Sequence, residues 1–524
     1  MKILIATMGK SLEIGVNLIE MLRDKIQMEK VGFFVADSLF YKQFSKNNSF
    51  IDDPFISILK EWEFTRIFKE KKPNWERIAK YEKYIGDPVL WNALMADRRI
   101  FFGKHCKYKQ QYKSRFTYEQ LMIILDQALV KIDRFINRIS PDLILSFGTA
   151  TMGDYLIYLF AKKKNIPYFQ IKATKIENYL AFHDTAVGVS STIVDTYNSA
   201  EPFSKDINRD IEVYIKKITN QGLQYEGAIL SSRSRLVSRL NSAPLEIMRS
   251  LAGFIKIQID PETRHDIHIP GAVVPSIYTN LLQPIKAFRV EKSICSHSKY
   301  FKKGDLDKMS PFVFFPLHFE PEVSLQVFGR PYQNQIELIR NIALSLPVGQ
   351  KIVVKEHPRS LGFRPLKYYK KLLEIPNVYL IDPFVKGYEI IKYACLVAVI
   401  TGSLGFEAAI NKIPVITFGN APYNLLPDKM VWHVTDLNCL GEQIDQVLNQ
   451  YQFEPYAIRR YIGAFIQESV PVDLYSVLLR KQNRYSNNPN NFSESELLSQ
   501  GYQSLVKYCL DIFNKKESKG NCGS

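Results

Sequence analysis

Two short stretches carry the residue types needed for chemistry on a phosphate. The first is Thr401-Gly402-Ser403-Leu404-Gly405-Phe406-Glu407-Ala408-Ala409, which comes after an apolar run and opens a helical pattern. A turn in that place sits at the carboxyl end of a parallel strand, where open α/β sheets bind ligands. Gly402 and Gly405 permit close backbone approach, and the free N–H groups of the helix start favour an anion. Ser403 is positioned to cap the helix and donate to a phosphate, and Glu407, one turn on, to accept ribose hydroxyls. The plain alternative is an ordinary glycine-containing helix start.

The second stretch is Lys355-Glu356-His357-Pro358, directly after the strand-like Lys351-Ile352-Val353-Val354. Pro358 fixes the turn that directs His357 out of the sheet, and Lys355 and Arg359 add cationic groups beside it. A lone histidine is ordinarily structural. Its place in the same sheet as the Gly/Ser turn is what points to phosphate binding.

The elements that position these residues are legible in the apolar pattern. Strand-like runs at Phe312–Phe315, Lys351–Lys355, Val378–Ile381, Leu396–Ile400 and Pro414–Phe418 alternate with helical patterns over 332–346, 365–374, 385–393 and 403–411. Such βα units imply a parallel sheet covered on both faces. The first half opens as βαβ, with strands at Ile3–Thr7 and Val31–Ala36 around a helix from Ser11 to about Glu29. Next come a helical pattern at Tyr118–Ile139, a strand at Asp142–Phe147, a helix opened by Gly148–Asp154 and a strand at Ile166–Ile171. The predicted architecture is two doubly wound, Rossmann-like α/β domains facing a cleft. Residues 1–285 form the first, with a helical insertion over about 50–115, and 286–310 form a linker. Residues 311–480 form the second, and 481–524 a polar linker, an amphipathic helix (Leu497–Asn514) and a tail. Between Asp206 and Ile255 the pattern is helical, and prolines 261, 270, 275 and 284 punctuate the approach to the second domain.

Composition bounds the function classes. The chain of 524 residues carries 69 Lys+Arg against 53 Asp+Glu, a net charge of +16, with 46% hydrophobic residues. That content is enough to build cores, and no apolar run approaches the roughly 18–20 residues of a spanning helix. The start, Met1–Thr7, is too short for a signal-peptide core and reads as a strand, so a cytoplasmic protein is expected. The six cysteines are far apart, without metal-ligand spacing. Basic residues are interspersed with acids, as in Lys69-Glu70-Lys71-Lys72, and no nucleic-acid motif is present. Anionic substrates or an anionic membrane surface account for the charge better than nucleic acid does.

Lys355–Pro358 with Gly362 and Arg364, Thr401–Ala408, Lys412–Gly419 and Pro316-Leu317-His318-Phe319-Glu320-Pro321-Glu322 together resemble bacterial capsule polysaccharide and surface-carbohydrate biosynthesis proteins. They are similar to glycosyltransferases of the GT-B fold, including capsular 3-deoxy-octulosonate (Kdo) transferases that use a CMP-activated sugar. The resemblance covers about residues 311–420. It implies transfer of a sugar from a nucleotide-sugar, a CMP-sugar being favoured, to a saccharide or lipid-linked acceptor, with peripheral contact at the inner membrane. It further implies that His357 and Ser403 contact the donor phosphate and Glu407 the nucleotide sugar, with Pro358 on the donor side as part of the His-Pro pair. His318 and Glu322 would face the cleft, and Lys355, Thr401, Gly402, Gly405 and Arg364 complete the donor side.

On the acceptor side, Ile166-Pro167-Tyr168-Phe169-Gln170-Ile171 continues as Lys172-Ala173-Thr174-Lys175-Ile176-Glu177-Asn178, without the Glu-Asp-Gly-Phe-type motif of the Kdo transferases. One catalytic carboxylate is expected, as base or nucleophile, and Glu177, Asp184 and Asp154 are the candidates. No Asp-x-Asp motif stands out, so neither a metal nor a cofactor is expected. The same two turns occur in UDP-sugar epimerases and CDP-linked glycerophosphotransferases, and a non-catalytic scaffold in capsule assembly is the alternative of another class.

Overall fold

The computed structural model describes residues 1–65, 72–85, 89–102, 114–223, 225, 233–260, 263, 266, 276–481 and 493–520. Two seven-stranded sheets organise it. The first contains β1 (Lys2–Thr7), β2 (Lys30–Val35), β3 (Ile56–Lys60), β4 (Leu143–Ser146), β5 (Tyr168–Ala173) and β6 (Tyr179–His183). The second contains β7 (Tyr300–Phe301), β8 (Phe312–Pro316), β9 (Ile352–Lys355), β10 (Val378–Ile381), β11 (Ala394–Val399), β12 (Val415–Thr417) and β13 (Val431–His433). The chain then returns to the first sheet as β14 (Ser469–Pro471), antiparallel to β6.

Strand order explains why ligand chemistry belongs where these units face each other. The first sheet runs β14-β6-β5-β4-β1-β2-β3, so the order reverses between β1 and β4. The second runs β13-β12-β11-β8-β9-β10-β7, all parallel, and reverses between β8 and β11. At such a switch point the loops leaving adjacent strands diverge to opposite faces and leave a crevice at the carboxyl ends. The strands of both sheets are near-continuous apolar runs, with every residue of β4, β8 and β9 buried, as parallel strands covered on both faces require.

The two doubly wound units agree with the expectation from sequence, and three boundaries differ. The 50–115 stretch is not wholly helical: β3 extends the first sheet as an edge strand parallel to β2, and Trp62 and Phe64 just after it are buried. Helices come next at Trp75–Ile85, Trp91–Ala96 and Arg98–Phe101, and residues 66–71, 86–88 and 103–113 lie outside the described residues. Residues 286–310 are not a linker, because helix Gln283–Cys295 and β7 pack onto the second sheet. The expected amphipathic C-terminal helix is present as Glu494–Gly520, but it belongs to the first unit rather than following the second as a separate segment. Its Tyr502, Leu505, Val506, Cys509 and Phe513 are buried on the first sheet, Tyr508 stacks on Phe182 at 4.3 Å, and Asn17 donates to the Tyr502 hydroxyl at 2.9 Å. An amphipathic stripe needs a partner face, and β14 delivers the chain to one. The polar 486–491 stretch and prolines 261, 270 and 275 lie outside the described residues.

Leu505 is fully buried in this contact. Leu505→Ala should therefore lower unfolding stability by about 2–5 kcal/mol, the usual cost of a buried Leu truncation. Denaturant unfolding that shows no change would mean the helix does not close the first core.

Candidate active site in the cleft between the sheets

Loops from both switch points line one cavity of about 580 Å³. Gly9 and Lys10 after β1, Gly148 and Thr149 after β4, and Lys172 and Lys175 in and after β5 come from the first unit. Glu322, Ser324, Thr401 and Asn420 come from the second. Beside it lies a smaller recess of about 180 Å³ in the second unit, walled by Pro316–Phe319, Lys355–His357 and Thr401–Leu404, with Lys175 reaching in from the first. Across the cleft, Lys172 stands over the Phe328 ring at 4.2 Å and Arg330 donates to the Tyr155 hydroxyl at 3.2 Å.

The recess brings together His318, Glu322, Lys355, His357, Thr401, Gly402 and Ser403. After β9 the chain turns at once, with Ser360 N–H donating to the His357 carbonyl at 2.8 Å and Pro358 at the corner. The Arg359 N–H donates to His357 Nδ1 at 3.2 Å, which leaves Nε2 as the protonated, donating nitrogen of a neutral ring. Burial, with Lys355, Arg359 and Arg364 nearby, pushes the His357 pKa well below the usual imidazole range. His318 has the opposite tautomer: its Nε2 accepts from the Thr401 N–H at 3.3 Å, so Nδ1 carries the proton. That bond ties the end of β8 to the end of β11 across the switch point. Burial likewise pushes His318 down to about 3 and the Lys355 ammonium down to about 8. The recess thus offers a neutral N–H donor, an ammonium and the Gly402-Ser403 turn, a set that suits phosphate oxygens.

Four candidates on the donor side are absent from the recess wall, the first being Pro358, which forms the corner of the turn behind His357. Arg364 is 2% exposed and donates to both Glu356 oxygens, to the His318 carbonyl and to Glu320, with Tyr369 also donating to Glu356 at 2.8 Å. It supports the recess from behind and is absent from its wall. Glu407 turns away from the ligand space: Oε2 accepts from the Leu223 N–H at 3.1 Å, Oε1 has no partner among the described residues, and burial raises its pKa to about 7. Position 407 falls on the buried side of helix Leu404–Ile410, which packs on helix Lys205–Gln221. Gly405 is required by packing, since a Cβ there would meet the Tyr423 hydroxyl at 2.3 Å. Tyr423 itself donates to the Gly402 carbonyl and so holds the turn.

The three acids on the first unit separate clearly. Asp184 accepts from the Ser191 N–H and hydroxyl near the start of helix Ser191–Asn198. Glu177 is paired through both oxygens with Lys217 at 2.7 and 2.9 Å. Neither lines the cavity. Asp154 does, from the first turn of helix Met152–Lys163, where Thr151 Oγ1 accepts from its N–H. Sequence reasoning missed Lys10, Asp37, Arg99, Lys172 and Lys481 in the same wall. Gly9, with φ of +59°, signals the β1 turn that presents Lys10. Lys481 had no comparable signal, because only the return through β14 brings it there. Among the described residues, no group of three metal-ligating side chains occurs.

Two outcomes test this assignment of roles. Arg364→Ala leaves the Glu356 and Glu320 carboxylates facing a buried site without their cation, so unfolding stability should fall by about 3–5 kcal/mol. An unchanged Tm would return Arg364 to the ligand side. The second concerns pH. His183, His318 and His357 are held neutral by burial, whereas in the unfolded chain they take up protons below about pH 6.5. Glu407 acts oppositely, holding a proton in the fold below about pH 7, which leaves a net uptake on unfolding of about two protons near pH 5.5. Since stability rises with pH wherever the unfolded state binds more protons, Tm should fall steadily from pH 7 to pH 5. A flat or rising profile would contradict neutral buried imidazoles.

Residues 279–428 match the family model described as "Capsule polysaccharide biosynthesis protein". An uncharacterized Plasmodium falciparum protein is 24% identical over 192 residues, covering 37% of this chain, and the chain spans only 15% of its length. Among solved structures, KpsC of Thermosulfurimonas dismutans, a beta Kdo 2,7 transferase, is 14% identical with a TM-score of 0.30, covering 76% of this chain and 93% of that one. UDP-GlcNAc 2-epimerase of Neisseria meningitidis, bound to UDP-GlcNAc, is 14% identical with a TM-score of 0.26, covering 89% and 99%. Likenesses this low bear on neither substrate nor chemistry. The family match, in contrast, spans β7 to β12 and every second-unit residue of the recess. Over residues 279–428, the chain carries the pattern of the capsule polysaccharide biosynthesis family.

Proposed function

We propose that this protein is a nucleotide-sugar-dependent glycosyltransferase of capsule or surface-polysaccharide synthesis, with the donor phosphate in the second-unit recess and the acceptor in the cavity against the first unit. The observation that carries the proposal is the convergence of His357 Nε2–H, Lys355 and the Gly402-Ser403 turn in the recess at the second switch point, beside the cavity whose wall includes Asp154. The family match over the same segment supports it.

In this reading, Asp154 accepts the proton of the acceptor hydroxyl or attacks the anomeric carbon. The C–O bond to the nucleotide phosphate breaks, and its charge is met by His357, Lys355 and the turn. A CMP-sugar is the donor proposed. Lys10, Arg99, Lys172, Lys175 and Lys481 make the cleft attractive to anionic donors and to charged saccharide or lipid-linked acceptors. Burial holds Lys172 at about 8, still largely protonated at neutral pH.

Calorimetry with CMP, CDP, UMP and UDP tests the donor assignment. CMP should bind selectively, and His357→Ala should weaken it more than tenfold, about 1.4 kcal/mol. A UDP preference would favour an epimerase or a UDP-sugar transferase, and binding of none would favour a scaffold. Asp154→Asn should retain nucleotide binding and lose at least about a hundredfold in transfer rate. Undiminished transfer would exclude Asp154 as the catalytic carboxylate.

A further inference from the structure

Helix Arg233–Ile259 leaves a row of large apolar side chains in solvent. Val237, Leu245, Met248, Leu251, Ile255 and Ile259 are each 49–75% exposed. At 100° per residue they fall within an arc of about 120°, so they form one stripe rather than a scatter. Arg249 and Lys256 flank that arc on one side, and both are exposed. The other side of the helix is anchored. Leu236 is buried in the second-unit core, and Arg239 donates to Gln283 Oε1 at 2.7 Å. The segments packed against this helix, Ile277–Leu282 and Gln283–Cys295, also expose Leu281 and Phe288, and Lys286, Arg289 and Lys292 are exposed among them.

We infer that this face is a membrane-docking surface that lies in the headgroup region of an anionic bilayer. A stripe of large apolar side chains bordered by cations is the pattern of an interfacial helix. Among the described residues no helix is long and apolar enough to cross a membrane, so the helix rests on the bilayer and does not span it. Charge selects the occupant. Within 233–259 five basic residues stand against one acid, Glu246, which pairs with Arg249 at 2.9 Å; Lys286, Arg289 and Lys292 adjoin as exposed cations, with Asp260 and Glu291 half-buried, and the whole chain carries +16. A second copy of the same face would set like charge against like, whereas anionic lipid meets it with opposite charge.

The face is also mechanically close to the site. Gln283, which Arg239 holds, donates to the carbonyls of Leu361 and Arg359, and these come after His357 in the donor-side turn. A Cβ at Gly362 would meet the Gln283 carbonyl at 2.3 Å, so that contact is tight. The docking face is thus joined through Gln283 to the donor-side turn. The inference deepens the proposed function and rests on it for the use of the surface, not for the affinity of the surface for lipid.

The test is co-sedimentation of the full chain with vesicles of equal phosphatidylglycerol and phosphatidylcholine, beside pure phosphatidylcholine. The wild type should partition to the anionic vesicles, less so at high salt. The variant Met248→Ser/Leu251→Ser/Ile255→Ser should bind at least about tenfold more weakly, with nucleotide binding and the circular dichroism spectrum unchanged. Arg249→Glu/Lys256→Glu should abolish the preference for anionic lipid. Equal partitioning of wild type and variants, or no binding by the wild type, would overturn the inference. So would a wild-type dimer that the serine variant dissociates, because the face would then be covered by a second copy. Nucleotide binding is measured separately, so a failed donor assignment leaves the vesicle result standing, and the reverse holds.

Discussion

The Arg364 guanidinium donates to both oxygens of Glu356, just past β9, and to the His318 carbonyl, just past β8. Everything on the donor side depends on that spacing. Glu356 and Arg364 are both almost fully buried, so the pair is stable only because further groups complete it: Tyr369 donates to Glu356, Gln335 brackets His318, and the Tyr368 ring lies under the guanidinium. With its ends fixed, β8 presents His318 to the Thr401 N–H, and β9 sends His357 into a turn whose backbone sets its tautomer. A buried ionic network thereby fixes the strand ends from which two neutral imidazoles are held by backbone N–H groups in defined orientations.

The first unit reaches the same geometry differently. Its switch point lies between β1 and β4, and its loops contribute Lys10, Gly148 and Thr149 rather than a histidine turn. Gln170 and Lys172 on β5 point toward the cleft, with His183 opposite Gln170 on β6. Lys172 is held over the Phe328 ring of the other unit, so a first-sheet cation is positioned partly by a second-unit aromatic. The two units are further tied by Arg98 to the Pro321 carbonyl and by Gln326 to the Met95 carbonyl. The cavity is a product of both.

Glu407 shows how a motif read correctly as a turn and helix can assign one side chain wrongly. The stretch Thr401–Ala409 does form a turn and a helix start after β11, and Ser403 is in the recess. Helical periodicity places position 407 one turn beyond 403 but does not say which flank meets the ligand and which meets helix Lys205–Gln221. That helix is about 200 residues away in sequence, and its packing takes the carboxylate. Arg364 is a similar case. Its type suits a phosphate, and its burial among carboxylates gives it a different task.

By itself the sequence determined the parallel strands at the centre of both sheets, β1, β2, β4 and β5 in the first and β8 to β12 in the second, because strands buried on both faces must be continuous apolar runs and the helices between them must be amphipathic. It also located the turns after β9 and β11, since glycine, proline and a capping serine have local conformational causes that need no distant partner. Tertiary structure alone decided which acid faces the cleft, because Asp154, Asp184 and Glu177 differ only in what the fold sets against them: a cavity, a helix cap and Lys217. It alone placed the C-terminal helix on the first sheet and Lys481 in the cleft, through the short antiparallel pairing of β14 with β6. Local propensity acts over a few residues, whereas burial and charge pairing are set by segments hundreds of residues apart, and the roles of individual side chains depend on the latter.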